Sequence, residues 1–181
     1  GYYAFINFSL SDYIPPNATI KKFVLNPKWI DAYSRLVKYT SETQYASINA
    51  EDIPVHIDLY TPVEPWDEYT LTYNNAPKYD LLKEDFLVFT KNDAPSEIDL
   101  TAFLDKIKYG IVFIINGKSQ IDFNNNTNYN KNKNIFPYYV WGAYTYISMT
   151  TNENKEPLYG TVTYSTDRPQ QPKITSPSNS D

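Results

Sequence analysis

Residues 66–77 read Trp66-Asp67-Glu68-Tyr69-Thr70-Leu71-Thr72-Tyr73-Asn74-Asn75-Ala76-Pro77, or WDEYTLTYNNAP. A large aromatic stands beside two carboxylates, then comes an alternating run, then a turn dipeptide closed by proline. Alternation at period two predicts a strand over Glu68 to Tyr73, with Tyr69, Leu71 and Tyr73 on one face and Glu68, Thr70 and Thr72 on the other. Two chemistries compete for this stretch. In the catalytic one, Asp67 and Glu68 are an acid and a base, and Trp66 is a sugar platform; a glycosidase needs its carboxylates roughly 5–10 Å apart across one bond. Strand neighbours point to opposite faces, so these two do not converge. The structural reading therefore leads. Trp66 plugs one end of a β core, Glu68 accepts backbone N–H groups from an adjacent loop, and Asn74 to Pro77 make the turn.

The rest of the chain agrees with a β-fold. Its 181 residues suit one domain, and they include 18 tyrosines, 9 phenylalanines and 13 prolines against 5 glycines. Tyrosine and phenylalanine favour strands, and proline punctuates loops. Strands are predicted over Tyr3 to Leu10, Ile20 to Leu25, Tyr33 to Tyr39, Val55 to Tyr60, Phe86 to Thr90, Ile98 to Leu100, Tyr138 to Met149 and Thr161 to Tyr164. Ile111 to Ile115 is a continuous apolar run bounded by Gly110 and Asn116-Gly117, as a strand buried on both faces requires. Ala102 to Lys108 is the one helical turn. Residues 116–137 form a long Asn/Lys-rich insertion, and residues 165–181 have the Pro/Ser-rich composition of a linker or tail. The expected fold is an all-β antiparallel β-sandwich of jelly-roll type over residues 1–164, with a closed barrel as the alternative.

Charge and composition exclude several functions. The net charge is −5, with no dense Lys/Arg cluster, so nucleic acid is not an expected partner. The absence of cysteine removes disulfides and thiolate metal sites. No apolar run reaches the roughly 20 residues that span a bilayer, so direct membrane insertion is not expected. The chain starts at Gly1 without a methionine or a signal-like segment and reads as a processed or excised piece. Sequons at Asn7, Asn17 and Asn125 favour an extracellular setting weakly, because such triplets arise by chance in an Asn-rich chain.

Four ordered motifs resemble one family. Tyr3-Ala-Phe-Ile-Asn-Phe-Ser-Leu-Ser with Ile14-Pro-Pro-Asn-Ala-Thr-Ile20 resembles the "FxFDLS" and "IPxxAxI" opening of DNRLRE-type domains. Trp66-x-Glu68, Thr70-x-Thr72 and Asn74-Asn75-x-Pro77 are similar to the central "WxExTxTWNNxP", with Tyr73 where a second tryptophan is common. Ile98-Asp-Leu-Thr101 resembles "xDVT", which places Asp99 and Thr101 in that element. Pro157-Leu-Tyr-Gly-Thr-Val-Thr-Tyr164 resembles the closing "PxLxVTY" strand, one residue longer here and bulged at Gly160. The "SxE" element is blurred into Thr151-Asn-Glu153, and the Asn-rich insertion has no counterpart. Such domains carry a further strand ahead of the opening motif, so the expectation is a sandwich lacking its first strand. The resemblance implies an extracellular, non-catalytic module of cell-surface and polysaccharide-degrading proteins, with relatives among alginate-binding modules and archaeal surface proteins. The matching motifs are architectural, so no sugar-contacting residue carries over.

The aromatic run Tyr138-Tyr139-Val-Trp141-Gly-Ala-Tyr144-Thr-Tyr146 has rings on both faces: Tyr139 and Trp141 on one, Tyr138, Tyr144 and Tyr146 on the other. It is either a ligand-binding row or simply aromatic core. His56 is the only histidine, which removes the His-containing zinc triads, and it reads as a packed or solvent-facing ring without a visible catalytic partner. Asp99 and Thr101 bracket a strand end and cap the turn that follows. No cofactor is expected; a structural calcium stays open, with oxygen ligands at Glu51, Asp52, Asp67 or Asp122 but no EF-hand ladder.

Three functions follow from these readings. The first is a carbohydrate-binding or surface-attachment module recognising a polysaccharide or cell-surface glycan. The second is a structural subunit of a stalk, surface layer or filament that self-associates through an open sheet edge, completed by a strand from a neighbouring chain. The third, an enzyme, is disfavoured because no motif unites a nucleophile, a base and an oxyanion donor.

Overall fold

The computed structural model describes residues 3–8, 10–39, 45–50, 53–118, 140–149 and 158–166, without side chains at residue 11 and over 30–50 and 140–149. Among the described residues ten strands follow one another: β1 (Tyr3–Ile6), β2 (Ala18–Asn26), β3 (Trp29–Tyr39), β4 (Tyr45–Ala50), β5 (Val55–Pro62), β6 (Tyr79–Phe89), β7 (Ile98–Asp99), β8 (Ile111–Ile115), β9 (Val140–Met149) and β10 (Tyr159–Thr166). The helical elements that lie wholly within the described residues are short 3-10 turns at Leu10–Asp12, Lys91–Asp93 and Thr101–Phe103. The molecule is a β-sandwich. A four-stranded antiparallel sheet, in the order β1-β8-β5-β6, packs against a three-stranded one, β10-β2-β7. A third antiparallel ladder has the order β4-β3-β9.

The core explains why these segments are strands. Val55, Ile57 and Leu59 of β5 and Ile111 and Phe113 of β8 point inward and meet Phe23 and Leu25 of β2, together with Phe89, Ile98, Leu100 and Ile107. Each such side chain contributes about 1.5–3 kcal/mol by leaving water. Register follows, because a slip by one residue would turn the entire set outward. Phe8 closes one side by an edge-on contact with Phe23 at 4.8 Å, and Trp29 packs on Phe89 at 4.7 Å. The Trp29 indole N–H donates to the Pro95 carbonyl at 2.7 Å.

The predicted helix over Ala102 to Lys108 becomes a 3-10 turn followed by further turns. This segment bridges the two sheets. The single Thr61 O–H is shared between the carbonyls of Lys106 and Gly110, at 3.0 and 3.1 Å, and Thr101 Oγ1 accepts the Phe23 N–H at 3.0 Å. Asp99 Oδ1 accepts the N–H of Thr101 at 2.9 Å, and hydrogen bonds from Thr101 hold the Asp99 carboxyl below its ordinary value.

The strand expected over Glu68 to Tyr73 is not one. Residues 68–70 and 73–75 are turns, and Tyr69 and Tyr73 are about nine-tenths exposed. Asparagine and aspartate win over alternation here. Asp67 accepts the Tyr69 N–H at 2.7 Å, while Asn75 takes the Thr72 N–H and hydroxyl and donates to the Thr70 carbonyl. Side chains that imitate backbone partners stabilise turns at the expense of a ladder. β4 has no counterpart among the predicted strands, and β10 runs to Thr166, two residues beyond the expected domain end.

Candidate functional site

An antiparallel sheet with one packed face should show polar groups on the other. The outward face of the four-stranded sheet does the opposite at one end. Inward residues on β1, β8 and β5 alternate with Tyr3 and Phe5, with Val112 and Ile114, and with His56, Asp58 and Tyr60. Register aligns these in two rows across the strands: Tyr3, Ile114 and Asp58 in one, and Phe5, Val112, Tyr60 and Leu81 in the next. Tyr79, opposite Pro62, sits beyond them.

The rings form one connected layer. Tyr79 lies 5.3 Å from Tyr60, 6.0 Å from Tyr3 and 6.4 Å from Phe5, and Phe5 meets Trp66 edge-on at 5.4 Å. Between the Phe5 and Tyr60 positions, Val112 is 0 % exposed although it faces outward. Tyr3 at 43 % and Leu81 at 45 % form the wet part of the patch. Burial, reinforced by the Asp58 and Glu84 charges, raises the Tyr60 hydroxyl above its ordinary value. Burial and a hydrogen bond with Tyr3 raise Tyr79. Both hydroxyls therefore stay protonated and able to donate at neutral pH.

The other end of the face is polar, and little in the order of residues hints at it. Between the Ile57–Leu87 and Leu59–Lys83 pairs, the single residue Asp58 confronts Glu84, Asp85 and Phe86. Asp85 sits in this bulge at φ 46°, and its N–H donates to Asp58 Oδ1 at 2.8 Å. Asn116 donates to Asp58 and to Asp85, each at 2.8 Å, and His56 Nδ1 lies 3.1 Å from Asp85 Oδ1. Lys118 pairs with Asp85 Oδ2. The Lys118 ammonium, then the Asn116 amide and the His56 ring, hold the Asp85 carboxyl at about 2. These residues come from two strands, β5 and β6, and the turn after β8, a spread that no linear motif records. The only local signal was Asn116-Gly117 closing an apolar run.

The expected site residues fall in different places. Trp66 is half-buried, and its indole N–H donates to the Tyr109 carbonyl at 2.8 Å. Glu68 is exposed, and among the described residues no loop N–H donates to it; its carboxylate instead raises the neighbouring Tyr69 hydroxyl above its ordinary value. Asn74 is exposed in its turn, whereas Pro77 is buried. Glu64, Trp66, Asp67 and Asn75 help line an open depression of about 490 Å³. Asp67 accepts the Tyr69 N–H of its own turn there, and Glu68 is not part of the lining. Tyr138 and Tyr139 lie outside the described residues, as do Glu51, Asp52 and Asp122; Trp141, Tyr144 and Tyr146 lie on β9, whose side chains are not described. Among the described residues, no group of three or more His, Asp or Glu is arranged to hold a metal ion, and no helix is long and apolar enough to cross a membrane.

The fold and this face define a β-sandwich with an aromatic outer sheet that grades into a hydrogen-bonding cluster. No family model matches the chain, and no curated protein or solved structure matches it.

Proposed function

We propose that the protein is a non-catalytic, extracellular carbohydrate-binding module of a larger cell-surface protein, and that the outward face of the four-stranded sheet receives the glycan. One observation carries this reading: Tyr3, Phe5, Tyr60 and Tyr79 form a contiguous ring layer where a solvated sheet face should be polar. Sugar rings present apolar C–H faces and hydroxyl edges, and amphipathic tyrosines meet both. Outward positions on β5 pass from Tyr60 to Asp58 to His56, at about 3.3 Å per residue, so ring stacking and polar contacts lie within one oligosaccharide's length. An Asp85 carboxyl held at about 2 is far from a proton-transfer range at neutral pH, which suits binding rather than catalysis. The motif order resembling DNRLRE-type domains points the same way.

Affinity electrophoresis of the chain through gels containing soluble polysaccharides tests the proposal. Retardation by at least one polysaccharide is expected. Tyr3→Ala should weaken it about threefold to tenfold, the worth of one exposed aromatic contact. No retardation across neutral and acidic polysaccharides, or retardation indifferent to Tyr3→Ala and Leu81→Ala together, would sink the reading.

A further inference from the structure

We infer that two copies of this chain pair edge to edge through β10, forming one continuous sheet across a twofold axis. The inference is independent of the glycan face, because β10 belongs to the opposite sheet and its pairing leaves that face open in both copies.

Among the described strands, the two packed sheets have four edges, and three are protected in ways that natural sheets use against edge pairing. β7 has two residues and β1 has four. β6 carries Lys83, Glu84 and the Asp85 bulge. β10 is neither short nor charged, and the one irregularity in its ladder, between Thr163 and Tyr164, places the extra residue, Lys21, on β2 rather than on β10. Its eight residues, Tyr159-Gly-Thr-Val-Thr-Tyr-Ser-Thr166, include no charge and no proline, and most have high strand preference. Its only partner among the described strands is β2. All of β10 except Val162 is exposed, with Tyr159 at 60 %. In a chain of net charge −5, a neutral strand is also where two copies approach with least repulsion.

The strand is complementary to itself. A twofold axis normal to the sheet at Val162 keeps each face on its own side and sets Thr161 opposite Thr163, Gly160 opposite Tyr164 and Tyr159 opposite Ser165. Threonine pairs across antiparallel strands are favourable. Gly160 has a physical reason to be glycine, since a Cβ there would sit 2.8 Å from Phe23 Cε2. Its missing side chain leaves the strand weak, and an aromatic ring from the facing strand offsets this; the partner copy's tyrosine at position 164 supplies one. Pairing also makes the module bivalent, so two weak glycan contacts act together.

β4 and β9 also lack charged residues, so the test must be specific to β10. Sedimentation of the intact chain over a wide concentration range should show a species of twice the 21.0 kDa chain mass. The T161K/T163K variant, which sets lysine against lysine, should sediment as a single chain with an unchanged far-UV spectrum. The chain has no cysteine, so T161C and T163C chains can be oxidised separately and as a mixture. Disulfide dimers should form in the mixture and not in either chain alone. A chain that stays monomeric throughout overturns the inference. So does an oligomer untouched by T161K/T163K, or cross-linking that is equal in the separate and mixed samples.

Discussion

The carboxylate of Asp58, only 7 % exposed, accepts the backbone N–H of Asp85 at 2.8 Å, so a buried acid on β5 holds the bulge of the neighbouring strand. Asp85 occupies the left-handed region, which a residue other than glycine adopts at a cost of about 1–3 kcal/mol unless its surroundings enforce it. Asp58→Ala strands two donors, the Asp85 N–H and the Asn116 amide. Urea unfolding should show a loss of about 2–3 kcal/mol, the worth of hydrogen bonds to a charged acceptor. Asp58→Asn keeps an acceptor oxygen and should recover part of it. A loss below about 0.5 kcal/mol for Asp58→Ala would mean that the bulge is held by other groups.

The Lys118–Asp85 pair makes stability sensitive to acid. The folded carboxyl lies at about 2 against an ordinary value of 3.8, chiefly through Lys118. A group depressed in the folded state stabilises above its unfolded value, and that contribution disappears as pH falls through the folded one. The window therefore runs from about pH 4 to about pH 2. Asp93 and Asp99 are also lowered, by Thr90 and Thr101, and lose stability in the same direction. Comparing wild type with Lys118→Met isolates the Asp85 share: the melting-temperature gap between them should be present at pH 5 and shrink toward pH 2. Lys118 is half exposed, so the gap should also narrow with added salt. A gap constant across this range would contradict the assignment.

The same residues show what could be read without coordinates. Continuous apolarity located β8 to the residue, and alternation located β5, because both signals come from the buried core that selects those segments. Alternation failed at Glu68 to Tyr73, where the Asp67 and Asn75 side chains satisfy the backbone locally and the tyrosines point into water. The polar cluster was illegible for another reason. Its members are up to 62 residues apart, from His56 to Lys118, and they meet only after β5, β6 and β8 have paired. The outward ring layer shares that property, since Tyr3, Tyr60 and Tyr79 become neighbours only through strand register.

Trp66 and Glu68 stand two residues apart, yet the structure separates their roles. The Trp66 ring packs on Phe5, and its N–H satisfies the Tyr109 carbonyl. Trp66→Phe keeps most of the packing and loses the hydrogen bond, for about 1 kcal/mol; Trp66→Ala loses both, for about 3 kcal/mol. Glu68→Ala, at an exposed turn, should stay within about 0.5 kcal/mol. Chemical denaturation of the three variants gives the order directly. An equal loss for Glu68→Ala and Trp66→Phe would restore a structural role to the acid.

Gly110 joins the 3-10 turn region to β8 at φ 91°, and a Cβ there would meet the Ile6 carbonyl oxygen at 2.2 Å. Both problems are of the backbone, so no rotamer change relieves them. Gly110→Ala should therefore cost about 3 kcal/mol or more, combining left-handed strain with a clash. The displaced group belongs to β1, whose Ile6 pairs with Ile111, so the damage should start there. Amide exchange in residues 3–6 should accelerate ahead of that in β5. Retention by the polysaccharide of the proposed function should fall with it, because β1 carries Tyr3 and Phe5. Gly117→Ala is the control: nothing lies within 4 Å of its added Cβ, and it should leave stability within about 0.5 kcal/mol. If Gly110→Ala slowed or left unchanged the exchange of β1, the close approach of these two backbones would not be what anchors the first strand.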